Sequence, residues 1–348
     1  MINTNKTFML DLVPGEQLES HVVGQGISKF RAQQVVDWAY KKKADSFSQF
    51  SNLPADFRAH LEENFTLRSF TLKEKITSQM DATVRYSFKT HDGFEVVTVF
   101  LPRKNRNSIC LSTQVGCPVR CVFCASGKVN FKRNLSRGEI LEQILQVEKA
   151  ENAEIDSILF MGMGEPLLNY DNTVSAIKSL LDPGQFGYGR RNIVLSTAGF
   201  VPQIVKLSKE NVPVRLALSL HASDETTREK IIKGKIPYFV EDILDAGLEY
   251  GRETKSKVTI EYVLIDGIND SEQAAIGLAK LIGRKLIKND RLQVNIIPYN
   301  PTGVELFNAP SAENIRIFKD CLSGGGLLAT VRESRGADIG AACGQIFI

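Results

Sequence analysis

The sequence predicts an α/β fold in which a parallel sheet is covered by helices. Seven apolar β runs recur after residue 109, helical stretches alternate with them, and no stretch reaches the roughly 18 apolar residues of a transmembrane helix. Alternating strands and helices are typical of a parallel sheet, and six or seven such units suit an open or a closed barrel. The predicted strands are 109–115, 157–161, 192–196, 215–220, 258–264, 293–298 and 328–332.

The elements before the sheet are a helical domain, placed at residues 1–78, and a hairpin linker at 79–104. The segment FRAQQVVDWAY brings four apolar side chains close to one helical face, and Asn52-Leu53-Pro54 begins a second helix. Hairpin strands at 83–90 and 94–101 flank the turn His91-Asp92-Gly93. The apolar helix residues are Phe30, Val35, Trp38 and Ala39, followed in the second helix by Phe57, Leu61 and Phe65.

The sheet-and-helix core is placed at residues 105–348. Its helices are predicted at 137–150, 171–181, 224–232, 239–250, 272–286 and 311–322.

Composition narrows the class of protein. The chain has 348 residues, 43% hydrophobic and 24% charged, which excludes disordered, collagen-like and coiled-coil classes. The N-terminus lacks a secretory signal, so we expect a cytoplasmic protein with no membrane partner. A formal charge of +3 permits a nucleic-acid partner without arguing for one. Four of the six cysteines fall within fifteen residues, which indicates a metal or redox site rather than a disulfide scaffold.

Polar and ligand-type residues follow the predicted strands. In α/β barrels the carboxyl ends of the strands carry the chemistry, so these residues are expected to converge on one rim. They include the cysteine loop 117–124, the turn Gly162-Met163-Gly164-Glu165-Pro166, Ser196, His221, Asn300 and Cys343.

The cysteine loop has the spacing CxxxCxxC at Cys117, Cys121 and Cys124. Three thiolates on one tight loop can hold three irons of a cubane cluster, leaving the fourth iron open to a small chelating ligand. Structural zinc is the less favoured alternative, because it needs four ligands and no fourth Cys or His lies at ordinary spacing. Cys110 lies upstream in a strand, and unliganded cysteines are the remaining alternative.

With Phe123 before its last cysteine, this loop resembles that of the radical S-adenosylmethionine (SAM) superfamily. The Gly162–Pro166 turn looks like the superfamily's second element, in which a carboxylate such as Glu165 can pair with the ammonium group of methionine. More narrowly, CLSTQVGCPVRCVFC, SILFMGMGEPLLN, ALSLHASDETTRE and TVRESRGADIGAACGQ resemble the RlmN family of RNA adenine-C2 methyltransferases. The N-terminal segments resemble that family's accessory domain, so the resemblance covers nearly the whole chain. Its most specific part is the pair Cys110 and Cys343.

The resemblance implies a partial (β/α)6 TIM-like barrel with a helical accessory domain and a β-hairpin. It implies one [4Fe-4S] cluster on Cys117, Cys121 and Cys124, and two SAM molecules per turnover. The implied substrates are 23S rRNA at the peptidyl transferase centre and the adenine 3′ of the anticodon in tRNA, with a flavodoxin-type electron donor and a monomeric enzyme. The implied SAM contacts are Gly164, Glu165, Ser196, Ser219, Leu220, His221 and Asn300.

The resemblance also implies the chemistry of the two extra cysteines. One SAM methylates Cys343, a radical from the second takes hydrogen from that methyl group, and the resulting methylene adds to C2 of adenine. Loss of the C2 proton and attack by Cys110 on the Cys343 sulfur then release the product and leave a disulfide.

The family's base for the C2 proton is a Glu five residues before the Pro that ends the second hairpin strand. Here Pro102 puts Val97 at that position, and Glu95 lies two residues earlier on the same strand face, about 6–7 Å away. Glu95 is therefore the candidate base, and a bulge in the Val96–Val99 stretch is one way to recover the offset.

Two alternatives to an adenine-C2 methyltransferase stay open. A sister resistance methyltransferase targets C8 of the same rRNA adenine and shares both extra cysteines. A non-catalytic RNA-binding relative is the more distant alternative. Cys321 is expected on a helix, as a core or inert residue. Candidate RNA contacts are Lys128, Lys132, Arg133, Arg190, Arg191, Arg332 and Arg335.

Overall fold

The computed structural model describes residues 6–210, 212–302 and 307–346. Its centre is a ten-stranded sheet in which each strand lies beside the one before it in sequence. The first three strands are antiparallel and the remaining seven are parallel. The strands are β1 Thr71–Thr77, β2 Val84–Lys89, β3 Glu95–Leu101, β4 Ser108–Cys110, β5 Ser157–Phe160, β6 Ile193–Thr197, β7 Arg215–Ser219, β8 Val258–Leu264, β9 Leu292–Pro298 and β10 Ala329–Val331.

Helices connect the parallel strands and cover the sheet. The N-terminal segment contributes three helices, the second of which continues into a π-helical turn at Asp37–Lys41. The helices are α1 Gln17–Gly24, α2 Phe30–Val36, α3 Ala55–Asn64, α4 Arg137–Glu151, α5 Tyr170–Leu181, α6 Val201–Lys209, α7 Glu225–Ile231, α8 Val240–Thr254, α9 Glu272–Lys285 and α10 Ala312–Gly324.

This architecture confirms the predicted fold class. The sheet is open, since β1 and β10 are its two edges. Because side chains alternate between the faces of a strand, every second residue of β4–β10 faces the barrel interior and the others face the helices. No helix in the described part of the chain is long and apolar enough to cross a membrane.

The first parallel strand is shorter than predicted. The sequence predicts a strand over 109–115, but regular pairing ends at Cys110. The Ser112 hydroxyl donates to the Val97 carbonyl at 2.6 Å, and the Met163 amide donates to the Ser112 hydroxyl at 2.9 Å. Residues 114–115 then pair with 133–134 in a separate two-stranded ladder. The chain thus leaves the sheet at Cys110 and turns towards the cysteine loop.

The N-terminal helices differ from the prediction at two positions, and one of them is Phe65, which lies in a short strand after α3 rather than in that helix. Phe30 is 56% exposed, whereas Val35 and Ala39 are buried. Phe30 opens α2, which ends at Val36 before the π-helical turn, so it does not share the buried face of that turn. The sequence also gave no signal for α1, α6 or β1, and β1 is exposed along nearly its whole length.

Helix α4 attaches the N-terminal helices to the barrel. The Arg137 guanidinium is buried and reaches the Leu10 carbonyl and, at 3.2 Å, the Tyr40 hydroxyl. The Glu142 carboxylate accepts the backbone N–H groups of Ser69 at 2.8 Å and Phe70 at 3.2 Å. Since α4 directly follows the cysteine loop, the accessory helices and that loop share one support.

Candidate active site at the carboxyl ends of the strands

The cysteine loop is held by the segment that follows α7. The Val122 amide donates to Ile231 at 2.9 Å, and the Gly234 amide donates to Val119 at 2.7 Å. A Cβ on Gly234 would lie 2.4 Å from the Val119 carbonyl oxygen, so only glycine fits there. The Ile232-Lys233-Gly234 segment therefore packs on the cysteine loop.

The three loop thiols interact electrostatically with one another. Burial raises the pKa of Cys117 to about 12, and the neighbouring Cys124 thiol adds to that increase. Burial also raises the pKa of Cys121, with Cys124 and Cys117 adding repulsion. Backbone N–H groups that bond to the Cys117 and Cys124 sulfurs act in the opposite direction. Three mutually repelling thiolates with amide donors need a cationic group between them, and this donor set fits an iron–sulfur cluster.

A single metal ion and a cubane cluster place different demands on the spacing of their ligands. Among the residues that the structure describes, no group of three or more His, Cys, Asp or Glu side chains could hold one ion. A cubane places each thiolate on a different iron, so its ligands are spread more widely than those of one tetrahedral zinc.

The turn after β5 places a buried carboxylate beside the loop. Glu165 accepts the Ala198 amide at 2.7 Å and the Leu167 amide at 3.0 Å. Burial raises the pKa of this carboxyl to about 7. Gly164 has φ +101°, and a Cβ there would lie 2.5 Å from the Gln114 Cβ, so the turn requires glycine.

The polar ends of β6 and β7 meet inside the barrel. The Ser196 and Ser219 hydroxyls are 3.1 Å apart on adjacent strands, so Ser196 does not cap the next helix. His221, with φ +61°, is buried and accepts the Val263 amide on Nδ1 at 3.0 Å. Burial, followed by repulsion from Arg228, lowers the His221 pKa to about 3, so the ring is neutral at physiological pH. Leu220 is fully buried.

The segment carrying Cys343 is seated against the cysteine loop. The Ala125 amide donates to the Gly344 carbonyl at 2.7 Å, and the Gln345 amide group donates to the Pro301 carbonyl at 2.7 Å. The Asn300 Nδ2 donates to the Cys343 carbonyl at 3.0 Å. Asn300, expected to contact SAM, thus also holds the segment that carries Cys343.

The structure brings Cys343 close to both Cys110 and Cys124. Burial is the main cause that raises the pKa of the Cys110 thiol, and repulsion from the Cys343 thiol raises it further. Cys110 packs among Val97, Val99 and Met163. The Cys343 residue is exposed, yet its thiol is partly desolvated by surrounding atoms, which raises its pKa, while Arg332 lowers it. All six cysteines are free thiols, and Cys321 lies half-buried on α10, away from this site.

Glu95 lies on the same face of β3 as Val97 and Val99, which pack beside Cys110. The pairing of β3 with β2 is regular from Glu95 to Phe100, so the bulge considered for this stretch is absent. The bulge lies between Leu72 and Glu74 on β1 instead. The Glu95 carboxylate is paired with the Lys73 ammonium.

Comparison with known proteins agrees with this geometry. Residues 111–279 match the radical SAM superfamily, and residues 9–67 match a ribosomal RNA large subunit methyltransferase N-terminal domain. A protein of Endomicrobium trichonymphae named probable dual-specificity RNA methyltransferase RlmN is 48% identical over 317 residues, 91% of each chain. A protein of the same name from Thermotoga petrophila is 42% identical over 331 residues, 95% of each chain. The chain belongs to the RlmN family.

A solved structure gives the same result for the fold. The crystal structure of a radical SAM methyltransferase from Sphaerobacter thermophilus superposes with a TM-score of 0.91 at 37% identity, covering 97% of this chain and 98% of that one. The RlmN-family chain is therefore a radical SAM enzyme. Membership of that superfamily implies an iron–sulfur cluster and SAM.

Sequence reasoning missed Arg228 of this RlmN-family chain. Its buried guanidinium reaches the Leu220 carbonyl at 2.5 Å and the Ala198 carbonyl, joining the ends of β6 and β7. It also interacts electrostatically with Glu165 and Cys121. The available signal was Asp224, which caps α7 and so fixes Arg228 on the inward face of a short helix.

The candidate RNA contacts divide into different classes. Arg133 is committed to the protein, since it pairs with Asp92 and with Glu139. Arg335 contacts Asp81, while Arg332 faces the barrel interior near Cys343. Arg190 and Arg191 lie immediately before β6, at the opposite end of the strands from the cysteine loop. The two remaining candidates, Lys128 and Lys132, lie on the loop after Cys124.

Proposed function

We propose that this chain makes 2-methyladenosine in 23S rRNA and in tRNA, using an S-methylcysteine on Cys343 that Cys110 resolves. The observation that carries the proposal is the position of the segment that carries Cys343, which bonds to the cysteine loop through Gly344 and packs beside Cys110 through Ala341 and Ile346. A thiol that must accept a methyl group at a cluster and later exchange with a second thiol needs both neighbours.

Cys117, Cys121 and Cys124 would hold the [4Fe-4S] cluster, and the rim formed by Gly164, Glu165, Ser196, Ser219, Leu220, His221 and Asn300 would hold SAM. Once bound, these groups supply a methyl group and a carbon radical. The neutral His221 ring and the buried Glu165 carboxylate support a site for one ammonium and one carboxylate group. Arg228 holds the Leu220 carbonyl, next to His221, and the carbonyl of Ala198, whose amide donates to Glu165.

Within the chain, Cys343 acts first as a nucleophile. Its thiol loses a proton and its sulfur takes the methyl group, a step favoured by the positive charge of Arg332. Cys110 acts last, when its sulfur attacks the Cys343 sulfur, forms the S–S bond and releases the carbon attached to Cys343. Glu95 is proposed as the acceptor of the C2 proton, after its carboxylate separates from Lys73.

The N-terminal helices are proposed to bind RNA, with the domain boundaries at 78 and 104, and the enzyme to work as a monomer reduced by a flavodoxin-type donor. A mildly basic chain and the match of residues 9–67 to an rRNA methyltransferase N-terminal domain support the RNA-binding part.

The test is mass spectrometry of nucleosides from protein-free 23S rRNA, incubated anaerobically with reconstituted enzyme, SAM and a reductant. Formation of 2-methyladenosine supports the proposal, and 8-methyladenosine alone assigns the sister activity instead. Absence of both while 5′-deoxyadenosine accumulates contradicts the proposed product and makes Val97, in place of the family's Glu, the first position to restore.

A further inference from the structure

The edge of the sheet opposite the cysteine loop is strongly basic. The segments that lead into the parallel strands, 102–107, 152–156, 182–192, 210–214, 255–257, 286–291 and 325–328, carry nine Lys or Arg and five Asp or Glu. That net charge of +4 exceeds the +3 of the whole chain. Positive charge is therefore concentrated on one face of a nearly neutral protein. Arg106 and Lys255 are exposed on this face, and so are six further cations that we call the basic edge: Arg103, Lys104, Arg190, Arg191, Lys288 and Arg291.

The basic edge is continuous in space. Arg106 donates to the Ser157 hydroxyl at 2.8 Å, and that hydroxyl lies 3.3 Å from the Asn192 carbonyl. Further along, the Leu216 amide donates to the Lys257 carbonyl at 3.3 Å. The Val258 amide donates to the Arg291 carbonyl at 2.9 Å, which brings in the last basic segment.

Most cations of the basic edge lack an acidic partner. Within the described residues, no carboxylate oxygen lies within 4.0 Å of Lys104, Arg190, Arg191, Lys288 or Arg291. The exception is Arg103, which pairs weakly with Glu333 at 3.6 Å.

Three of the five acids on this face are bonded to groups outside the basic edge. Asp290 pairs with Arg252 at 2.9 Å, and Glu210 pairs with Lys178 at 2.9 Å. Asp156 accepts the Asn107 amide at 2.7 Å. The positive field is therefore not neutralised within the described protein.

The field extends into the barrel. Arg215 opens β7 facing the interior, and its buried Nε has no hydrogen-bond partner. Burial lowers its pKa and repulsion from Arg106 lowers it further, while attraction to the Glu261 carboxylate raises it. Cations that repel one another at a partly buried edge are stabilised by an external anion.

We propose that the basic edge is a second RNA-binding surface, which holds phosphates of the substrate RNA on the far side of the barrel from the catalytic cysteines; this rests on the proposed function. Strand β8 has seven residues, so the two ends of the barrel are about 20 Å apart. RNA at about 3.4 Å per step needs six or more nucleotides to bridge that distance. An acidic reductant protein fits less well, because it would dock about 20 Å from the cysteine loop it must reduce.

The test compares two variants of the reconstituted protein with the same loss of charge. The first carries Lys104→Gln, Arg190→Gln, Arg191→Gln and Arg291→Gln. The matched control carries Lys178→Gln, Lys206→Gln, Lys285→Gln and Arg316→Gln, cations of the outer helices that each pair with a carboxylate; Lys285 is half-buried and the other three are exposed. The dissociation constant is measured against salt for a 23S rRNA transcript of about 50 nucleotides and for a fragment of about five, which is too short to reach the edge at ~3.4 Å per step.

For the transcript, the proposal predicts a slope of log K against log salt that is smaller in magnitude by about 1.4 or more in the first variant than in the unchanged protein. That corresponds to two phosphate contacts and to roughly 15- to 30-fold weaker binding at ~0.15 M salt. The control variant and the short fragment should show no such change.

The proposal would be overturned if the slope of log K against log salt were the same in the two variants. It would also be overturned if the first variant bound the transcript and the short fragment more weakly by the same factor. Slower reduction by an acidic flavoprotein with RNA binding intact would overturn it too, and would assign the edge to the reductant. The experiment measures RNA binding, so its result does not depend on which methylated product the enzyme forms.

Discussion

The packing of the Cys343 segment against the cysteine loop, which we call its seat, can be tested by a substitution at a single glycine. Gly344 has φ +85°, and a Cβ there would lie 3.1 Å from the Phe123 carbonyl oxygen of the cysteine loop. A left-handed backbone costs an ordinary L-residue about 1–2 kcal/mol, and the close carbonyl contact adds to that cost. Gly344→Ala should therefore destabilise the seated segment by about 1–2 kcal/mol, a factor of 5–30 in its opening equilibrium.

Amide hydrogen exchange of Ala125 measures this opening, because its N–H donates to the Gly344 carbonyl. Exchange should be about 5–30 times faster in Gly344→Ala. Gly93→Ala is the matched control, since Gly93 has φ +88° in the hairpin turn with no atom within 4 Å of the added Cβ. An Ala125 exchange rate equal to that of the unchanged protein, with the control also unchanged, would refute the reasoning about the seat.

Three further perturbations test other parts of the account. Gly164→Ala places a Cβ 2.5 Å from the Gln114 Cβ on a backbone with φ +101°. The affinity for SAM, measured by equilibrium dialysis, should therefore fall by on the order of tenfold. An unaltered affinity would show that this turn does not bind the cofactor. Glu142 is buried, and its pKa is raised from 4.5 to about 7. Its protonated form therefore stabilises the fold below about pH 4.5, and up to about 3 kcal/mol of that stability is lost as the pH rises through 7. Glu142→Gln should abolish that slope in urea unfolding, and a persistent slope would assign it to another group. Glu95→Gln should leave 5′-deoxyadenosine formation intact and stop product release, whereas full turnover would remove Glu95 from the mechanism.

The sequence was most informative where pattern and chemistry coincide. Apart from helix α6 and the end of β4, alternating apolar runs predicted the parallel strands and their helices to within a few residues, because burial on both faces leaves a strong signal. The CxxxCxxC spacing and the GxGEP turn predicted loops that the structure places together on one rim. Strand β1 gave no such signal, because an exposed edge strand needs no apolar alternation.

Contacts between distant segments could not be predicted in this way. In the sequence, Arg228 is an ordinary cation of a short helix. Only the fold places it beneath the ends of β6 and β7, where it is buried. The Asn300 amide holds the Cys343 carbonyl, a pairing across 43 residues that no local pattern encodes. The basic edge also emerges only from topology, since its cations come from separate segments of a chain with little net charge.

The central claim is that Cys343 carries the transferred carbon and Cys110 releases it. The most direct measurement is mass spectrometry of the Cys343 peptide after anaerobic turnover of the reconstituted enzyme with RNA, comparing the unchanged chain with Cys110→Ala. The account predicts that the Cys110→Ala protein keeps RNA covalently attached to Cys343 through one added carbon, while the unchanged chain releases it. A carbon on any other residue, or an unmodified Cys343 in a variant that still methylates RNA, would contradict the account.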